Sequence, residues 1–307
     1  MIPMLLAQKI VSLFIMMLLG AIAVKTKRLK SEDSKLISVL VVYLITPCML
    51  ITAFQIDYND SIRAGLLLAV GAAVVLNLLQ VLLTEIWHRI WPLDAIEKFT
   101  LTYSNCGNLI IPIIVFIMGE EWVIYSSAFI AVLQILMWSH GVQLLTGEKH
   151  INFKKIFGNI NMIAILLGIV LMLLQIRFPA PLQDALSSVG GMIGPIAMII
   201  TGMVIAGMDL RKALLRARLW IVVAGRLLLL PGIGLLVLKY SGFAARVPNG
   251  GSILLITLLA ASAPAASSVT QLAQLYNKDV EYAGALNAVT TLLCIVTMPL
   301  MVMIYQM

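Results

Sequence analysis

The stretch SNCGNLIIP, from Ser104 to Pro112, lies in the middle of an otherwise apolar run and guides the interpretation of the whole chain. Two asparagines, a glycine and a proline each weaken a helical hydrogen-bond ladder or add polarity that hydrocarbon does not solvate. A helix that only anchors a protein in lipid needs none of them. The stretch therefore predicts a break in a membrane helix, at a point where that helix lines a binding site.

The composition around this stretch is that of a multispanning membrane protein. The 307 residues are 61% hydrophobic and only 11% charged, with a mean hydropathy of +1.03. A helix needs roughly 20 residues to cross about 30 Å of hydrocarbon, and on that basis ten spans are predicted. They cover residues 5–24, 36–55, 62–83, 96–118, 123–145, 160–176, 186–208, 220–240, 252–275 and 282–305. The opening stretch falls in span four.

Lysine and arginine are distributed unevenly among the connections between these spans. The odd-numbered connections carry fifteen of them, whereas the even-numbered ones carry only Arg63, Arg177, Lys239 and Arg246. The positive-inside rule therefore makes the odd connections cytoplasmic and places both termini outside the cytoplasmic (inner) cell membrane. The first span has no preceding positive charge cluster, so we expect it to be retained. Topology explains the net charge of +7, and no nucleic-acid partner is predicted.

An internal repeat relates the two halves of the chain. LLGAIAV in span one matches LLGIVLM in span six, and Gly20 lies as far from Pro47 as Gly168 does from Pro195. Span four corresponds to span nine in the same way. Because each half contains five spans, the two copies have opposite orientations in the membrane, which is an inverted repeat. The predicted fold is all-α, and its two five-helix repeats comprise residues 1–148 and 149–307.

Span nine contains the interruption that matches the opening stretch. Pro264 breaks the helical ladder there, and Ser267, Ser268 and Thr270 add hydroxyl groups. If both spans unwind near the midplane, the second half of each begins there, and two positive helix ends converge on one place. Proline kinks that only aid packing are the alternative, and for Pro47 the two interpretations stay open.

The two interruptions together provide hydrogen-bond donors for an anion. Free backbone N–H groups, the side-chain amides of Asn105 and Asn108 and the hydroxyls of Ser267 and Ser268 can all donate. Neither interruption contains a carboxylate. The pattern therefore favours an organic anion over a metal cation as the cargo.

The two interruptions carry a resemblance to a known family. Asn105, Gly107 and Pro112 in span four, with Pro264 followed by small residues in span nine, resemble the auxin efflux carrier family. That family includes plant PIN-formed carriers and bacterial malate-permease-like members, and the resemblance covers essentially the full chain. It departs from the family pattern at Ile110, where many bacterial members have glycine, and at Ser267 and Ser268, where an asparagine often follows the proline.

The resemblance implies a fold and a set of roles. The fold would be like that of bile-acid symporters, with broken helices four and nine crossing each other. Helices one, two, six and seven would form a scaffold that often dimerises, and helices three to five and eight to ten would move like an elevator. Asn105 would bind the substrate, with Pro112 and Pro264 shaping the crossover. In the same segment, we predict that Gly107 also lies at the binding site and that Cys106 supports it.

Arg226 is the one basic residue placed well inside a span, and an intramembrane arginine needs an anionic or carbonyl partner. It either attracts the substrate or pairs with the protein, and Pro231 and Gly232 free nearby carbonyls for the second role. Glu85 is interpreted as an interfacial charge. Single intramembrane amides either line the cavity or join helices, and the second reading is preferred for Asn77, Gln80 and Gln134.

Enzymatic chemistry has little support in the sequence. It has no HExxH, GxSxG or P-loop motif, and His88, His140 and His150 are isolated from one another. Cys48, Cys106 and Cys294 all fall inside spans, which indicates packing and neither a disulfide framework nor a zinc site. Neither a metal nor a cofactor is predicted.

The remaining function is a secondary transporter or uniporter for a small, malate- or auxin-like carboxylate. A membrane potential of 100 mV drives export of a monoanion with about 2.3 kcal/mol per charge, whereas uptake needs coupling to H⁺ or Na⁺. Two alternatives stay open. A sodium- or proton-coupled symporter or exchanger on the same fold should carry intramembrane acids, and a non-transporting receptor would have little use for two related polar breaks.

Overall fold

The computed structural model describes residues 2–56, 59–147, 154, 157–207 and 214–307. Within these ranges we number twelve helices, and the described residues contain no strand apart from one isolated β-bridge. The helices are α1 (Ile2–Lys25), α2 (Ser31–Ala53), α3 (Asp60–Ile90), α4 (Ala95–Thr102), α5 (Ile111–Met118), α6 (Glu120–Thr146), α7 (Ile160–Leu173), α8 (Ala180–Ala206), α9 (Ala217–Tyr240), α10 (Gly250–Ser262), α11 (Ser268–Leu275) and α12 (Val280–Gln306).

Six of the described helices are long and apolar enough to cross a membrane, namely α2, α3, α6, α8, α9 and α12. Three shorter apolar helices are Phe14–Lys25, α7 and α10. Span four is divided between α4 and α5, and span nine between α10 and α11. The predicted interruption of these two spans is therefore confirmed. Because each span is divided, neither is among the six long helices.

Two helices extend further than their apolar runs predict. α3 begins at Asp60 and continues to Ile90, beyond the predicted end at residue 83. Asn59 caps its start, because its side chain accepts a hydrogen bond of 2.9 Å from the Ile62 amide. α8 begins at Ala180, ahead of the predicted residue 186, with a proline in its first turn that needs no amide partner. Hydropathy does not predict either extension, because the added residues at the end of α3 and at the start of α8 include polar side chains.

Wide π turns precede three of the prolines. The turns are Val41–Ile45 before Pro47, Cys106–Ile110 before Pro112 and Gly225–Leu229 before Pro231. A proline inside a helix lacks an N–H group, and its ring clashes with the carbonyl four residues earlier, so a locally widened turn relieves the clash. The α-helical pattern of α8 is likewise interrupted at Met192, close to Pro195.

Glycines allow the helices of the two halves to approach closely. A Cβ atom added to Gly20 would meet the backbone of Ile199, and one added to Gly202 would meet the backbone of Met17, so α1 and α8 touch backbone to backbone. Gly168 of α7 similarly packs against the ring of Phe54 beyond α2. α2 also contacts α8, whereas α3 packs on α6 and α10, and α12 packs on α9 and α11.

Candidate functional site

The two broken spans cross and pair with each other. The Asn105 amide donates to the Pro264 carbonyl at 2.8 Å, and the Ala266 amide donates to the Tyr103 carbonyl at 3.0 Å. These bonds form an antiparallel bridge between Ser104 and Ala265. The π turn before α5 and the start of α11 therefore each follow directly from this bridge, so the two breaks inferred from the sequence meet in the fold.

Arg226 lies beneath this crossover and is completely buried. Its Nε donates to the Ala263 carbonyl at 3.0 Å, and Nη2 donates to the same oxygen at 2.7 Å and to the Ala261 carbonyl at 2.9 Å. Nη1 donates to the Leu101 carbonyl at 2.9 Å. A single guanidinium thus binds the carboxyl ends of both α4 and α10. The carbonyls near Pro231, which the sequence offers as partners, are not its acceptors.

Polar side chains on two neighbouring helices support the span-nine break. Gln80 of α3 donates to the Ala261 carbonyl at 3.0 Å, so this amide joins two helices as expected. The Thr290 hydroxyl of α12 accepts a bond of 3.1 Å from the Ala265 amide. Asn77 instead donates to the Ala73 carbonyl within its own helix at 2.8 Å. Sequence analysis did not identify Thr290, because a threonine in an apolar helix has no distinguishing pattern.

Tyr103 attaches the span-four break to α6. Its hydroxyl donates to the Leu136 carbonyl at 3.0 Å and lies 2.8 Å from Nδ1 of His140. His140 belongs to the π turn Met137–Gly141 in α6. The break therefore has contacts on both sides, with Arg226 below it and α6 beside it.

The site residues predicted in span four lie in and directly after the break. Asn105 is half-buried and precedes the π turn, but its side chain does not cap that turn and makes no hydrogen bond among the described residues. Cys106 is buried, and a Cβ atom on Gly107 would face open space. Pro112 occupies the first turn of α5, beyond the break, so it does not cause the interruption. The side chains of Asn108 and Pro112 lie outside the described residues.

The site residues predicted in span nine surround the second break. Pro264 is buried in the bridge, and Ser267 is the half-buried residue that precedes α11. The Ser268 hydroxyl lies 3.3 Å from the sulfur of Met137, and Thr270 is half-buried in the first turn of α11. The bridge thus places Asn105 beside Pro264, so the two predicted segments meet at their breaks.

Glu97 is a buried acid that sequence analysis did not identify. It is fully buried at the start of α4, where the Asp94 amide and the Tyr282 hydroxyl donate to it at 2.9 and 3.0 Å. Arg218 also bonds both of its oxygens. The Asp94-x-x-Glu97 capping box is the one sequence signal that marks this network, which joins the starts of α4, α9 and α12.

A small apolar cleft lies beside α5. Phe14 and Met17 of α1 and Met198 of α8 line one side, and Leu109, Ile113 and Met298 line the other. The cleft therefore lies where the α1 and α8 pair meets α5 and α12.

Comparison with known proteins places this geometry in context. The chain matches the family described as membrane transport protein over residues 5–156 and again over residues 149–302. No curated protein matches the chain.

Proposed function

Because the chain belongs to the membrane transport protein family, which includes the auxin efflux carriers, we propose that it carries a small organic anion through its crossover. The family makes the chain a membrane transporter. The cargo, its path and the mechanism are the parts that we propose. The observation that carries the proposal is the pairing of two helix breaks above one buried arginine.

The charges at the crossover favour an anion. Arg226 offsets the negative carboxyl ends of α4 and α10, and the amino ends of the π turn before α5 and of α11 carry the opposite partial charge. The first N–H groups of the π turn before α5, and those of α11, have no partner within their own helix. The side-chain amide of Asn105, which makes no hydrogen bond in the described part of the chain, adds further donors. We assign Asn105 and Gly107 to direct contact with the anion, with Ser267 and Ser268 opposite them.

The ten-span topology with both termini outside is the arrangement that we propose for the cytoplasmic membrane. Six long apolar helices and the two divided spans support it, together with the segregation of basic residues. In the proposed inverted repeat, residues 1–148 and 149–307 are equivalent. Gly20 and Gly168 would then be equivalent too, and each makes a close contact with the other half of the chain. Gly20 contacts the backbone of Ile199 in α8, and Gly168 contacts the ring of Phe54, which follows α2.

An elevator-type movement would use the two packing groups. The contacts of α1 and α2 with α7 and α8 support a scaffold, and those among α3, α6, α9, α10 and α12 support a moving unit that carries the crossover. The cleft beside α5 lies at the boundary between these groups, and its lining is almost entirely apolar. Exposed apolar side chains on α2 and α7 are available to lipid or to a second copy of the chain in a homodimer.

Flux measurements in liposomes test the proposal. Purified protein is reconstituted and exposed to a panel of labelled mono- and dicarboxylates under an imposed membrane potential. We expect uptake or release of at least one carboxylate, and we expect Asn105→Ala to reduce the flux at least about tenfold because binding donors are lost.

Asn77→Ala is the matched control for this experiment. It removes an intramembrane asparagine whose amide is satisfied within its own helix, so its flux should equal that of the native chain. Absence of flux for every carboxylate, or native flux in Asn105→Ala, would contradict the proposed function.

A further inference from the structure

The π turn in α6 has no proline to account for it. The wide turns before Pro47, Pro112 and Pro231 each relieve the clash of a proline ring, whereas α6 contains no proline. Its π turn covers Met137–Gly141. Single π turns inside α-helices are frequent at functional sites, so this turn is a candidate for a functional role.

Both ends of this π turn contact the crossover. At its start, the sulfur of Met137 lies 3.3 Å from the Ser268 hydroxyl beside the break in span nine. Near its end, Nδ1 of His140 lies 2.8 Å from the Tyr103 hydroxyl at the break in span four. Gly141 permits the second contact, because a Cβ atom there would come within 2.9 Å of the Tyr103 ring. The turn therefore touches both breaks.

The hydrogen bonds of Tyr103 determine which nitrogen of His140 is open to a proton. The hydroxyl has a single hydrogen and donates it to the Leu136 carbonyl, which can only accept. Nδ1 of His140 must then donate to the hydroxyl oxygen, so the hydrogen of the neutral ring lies on Nδ1. Nε2 is left as an acceptor, and it has no hydrogen bond among the described residues. His140 is half-buried, so Nε2 can take up a proton without disturbing the bond to Tyr103.

The charged groups that act on His140 form an ion pair. Glu85 of α3 and Lys98 of α4 interact electrostatically with the imidazole, and they pair with each other at 2.5 Å, so their charges largely cancel. The other segments that pack on α6 are residues 46–53 of α2, the helices α5, α7, α10 and α11, and the π turn before α5. Apart from the thiols of Cys48 and Cys106, these segments contain no acid or base. A proton on His140 therefore adds a positive charge that no unpaired acid of these segments neutralises.

We propose that His140 is a proton site linked to the anion site at the crossover, and that the protonated form of the protein binds the anion more tightly. The inference rests on the proposed function and adds a regulator to it. The added charge lies on a turn that touches both breaks, and its attraction for a carboxylate is strong in a medium of low dielectric constant. Such a linkage is reciprocal, so a bound anion favours the proton on His140 by the same factor.

Titration of the histidines by NMR tests whether His140 binds a proton. The rings of the three histidines are labelled with carbon-13, and their signals are assigned with His88→Gln, His140→Gln and His150→Gln. Two of these variants suffice for the assignment, so the test stands even if His140→Gln does not fold. We expect the His140 signal to titrate between about pH 5 and 8. A signal that does not change over this range would overturn the inference, whether or not the protein transports an anion.

Anion binding at two pH values tests the linkage. The probes in thermal-shift titrations are pyruvate and tartrate, a mono- and a dicarboxylate that stay ionised between about pH 6 and 8, together with any other carboxylate that moves in the flux panel. We expect binding to be at least about threefold tighter at the lower pH. If no carboxylate binds at either pH, the proposed function fails together with the linkage, whereas the NMR titration still decides whether His140 binds a proton.

His140→Gln should remove this pH dependence, because an amide can hold the Tyr103 hydroxyl but cannot become charged. His88→Gln is the matched control and should keep the native pH dependence. Nδ1 of His88 accepts from the Leu93 amide at 3.0 Å in the last turn of α3, which a glutamine oxygen can also do. Equal affinity of the native protein at both pH values, or native pH dependence in His140→Gln, would overturn the inference. If His140→Gln does not fold, the native protein decides, because a saturating anion should move the His140 midpoint to higher pH, and an unchanged midpoint would overturn the linkage.

Discussion

The break in span nine begins directly before Pro264, whereas the break in span four begins at Tyr103, well ahead of the only proline in that span. A proline forces the preceding residue out of the helical region, and Ala263 is accordingly extended, with φ −59° and ψ 153°. Tyr103 is also extended, with φ −106° and ψ 126°, but no proline follows it. The break in span nine is therefore set by its own proline. The break in span four has no such local cause and depends on its contacts with the span-nine segment.

This difference can be tested by removing the contacts that hold each break. The variants below are ordered from the largest expected loss of stability to the smallest. Each is measured as the free energy of unfolding in detergent micelles.

Thr290→Val should cause the largest loss, because it leaves the buried Ala265 amide without an acceptor. We expect a loss of about 1 to 3 kcal/mol in the free energy of unfolding. Thr297→Val is the matched control in the same helix, since the Thr297 hydroxyl has no partner among the described residues. Equal stability of the two variants would show that Thr290 does not hold the span-nine break.

Tyr103→Phe should cause a smaller loss at the span-four break. The hydroxyl bonds to Leu136 and His140 disappear while the buried ring stays, so we expect a loss of about 1 kcal/mol. Tyr43→Phe, at a residue that is 66% exposed, should leave the free energy of unfolding unchanged. No difference between the two would argue that the bridge alone holds span four open.

Pro264→Ala should have the smallest effect, a loss below about 1 kcal/mol from the greater freedom of the unfolded chain. We expect the break to persist, because Arg226 still binds the Ala263 carbonyl and Thr290 still accepts from the Ala265 amide. A structure of the variant checks this. A continuous helix from α10 into α11 would show that the proline alone makes the break.

The sequence predicts most of the local features of the fold. Apolar runs place the helices, and polar stretches with Pro264 and Asn105 mark both interruptions, because each of these signals acts within a few residues of itself. Helix ends are less predictable, since the polar last turns of α3 continue the helix beyond the apolar run. The position of the span-four break is also not marked by Pro112, which lies in the first turn of α5, beyond the point where α4 ends.

The partners of the buried charges could not be predicted. Arg226 binds carbonyls of residues 35, 37 and 125 positions away in the chain, and no local pattern records such a contact. Glu97 looks like an ordinary capping residue at a helix start, and only the approach of Arg218 and Tyr282 shows that it is buried. These contacts depend on how the two halves pack, which periodicity does not determine.

Binding of an organic anion to Asn105→Asp tests the central claim most directly. The substitution keeps the size of the side chain but replaces its amide donors with a negative charge beside the proposed site. In a thermal-shift titration with the carboxylate that the native protein transports, we predict that the affinity falls at least about tenfold. Asn59→Asp makes the same change at the cap of α3, where aspartate caps equally well, and should bind like the native protein. Native affinity in Asn105→Asp would contradict the account.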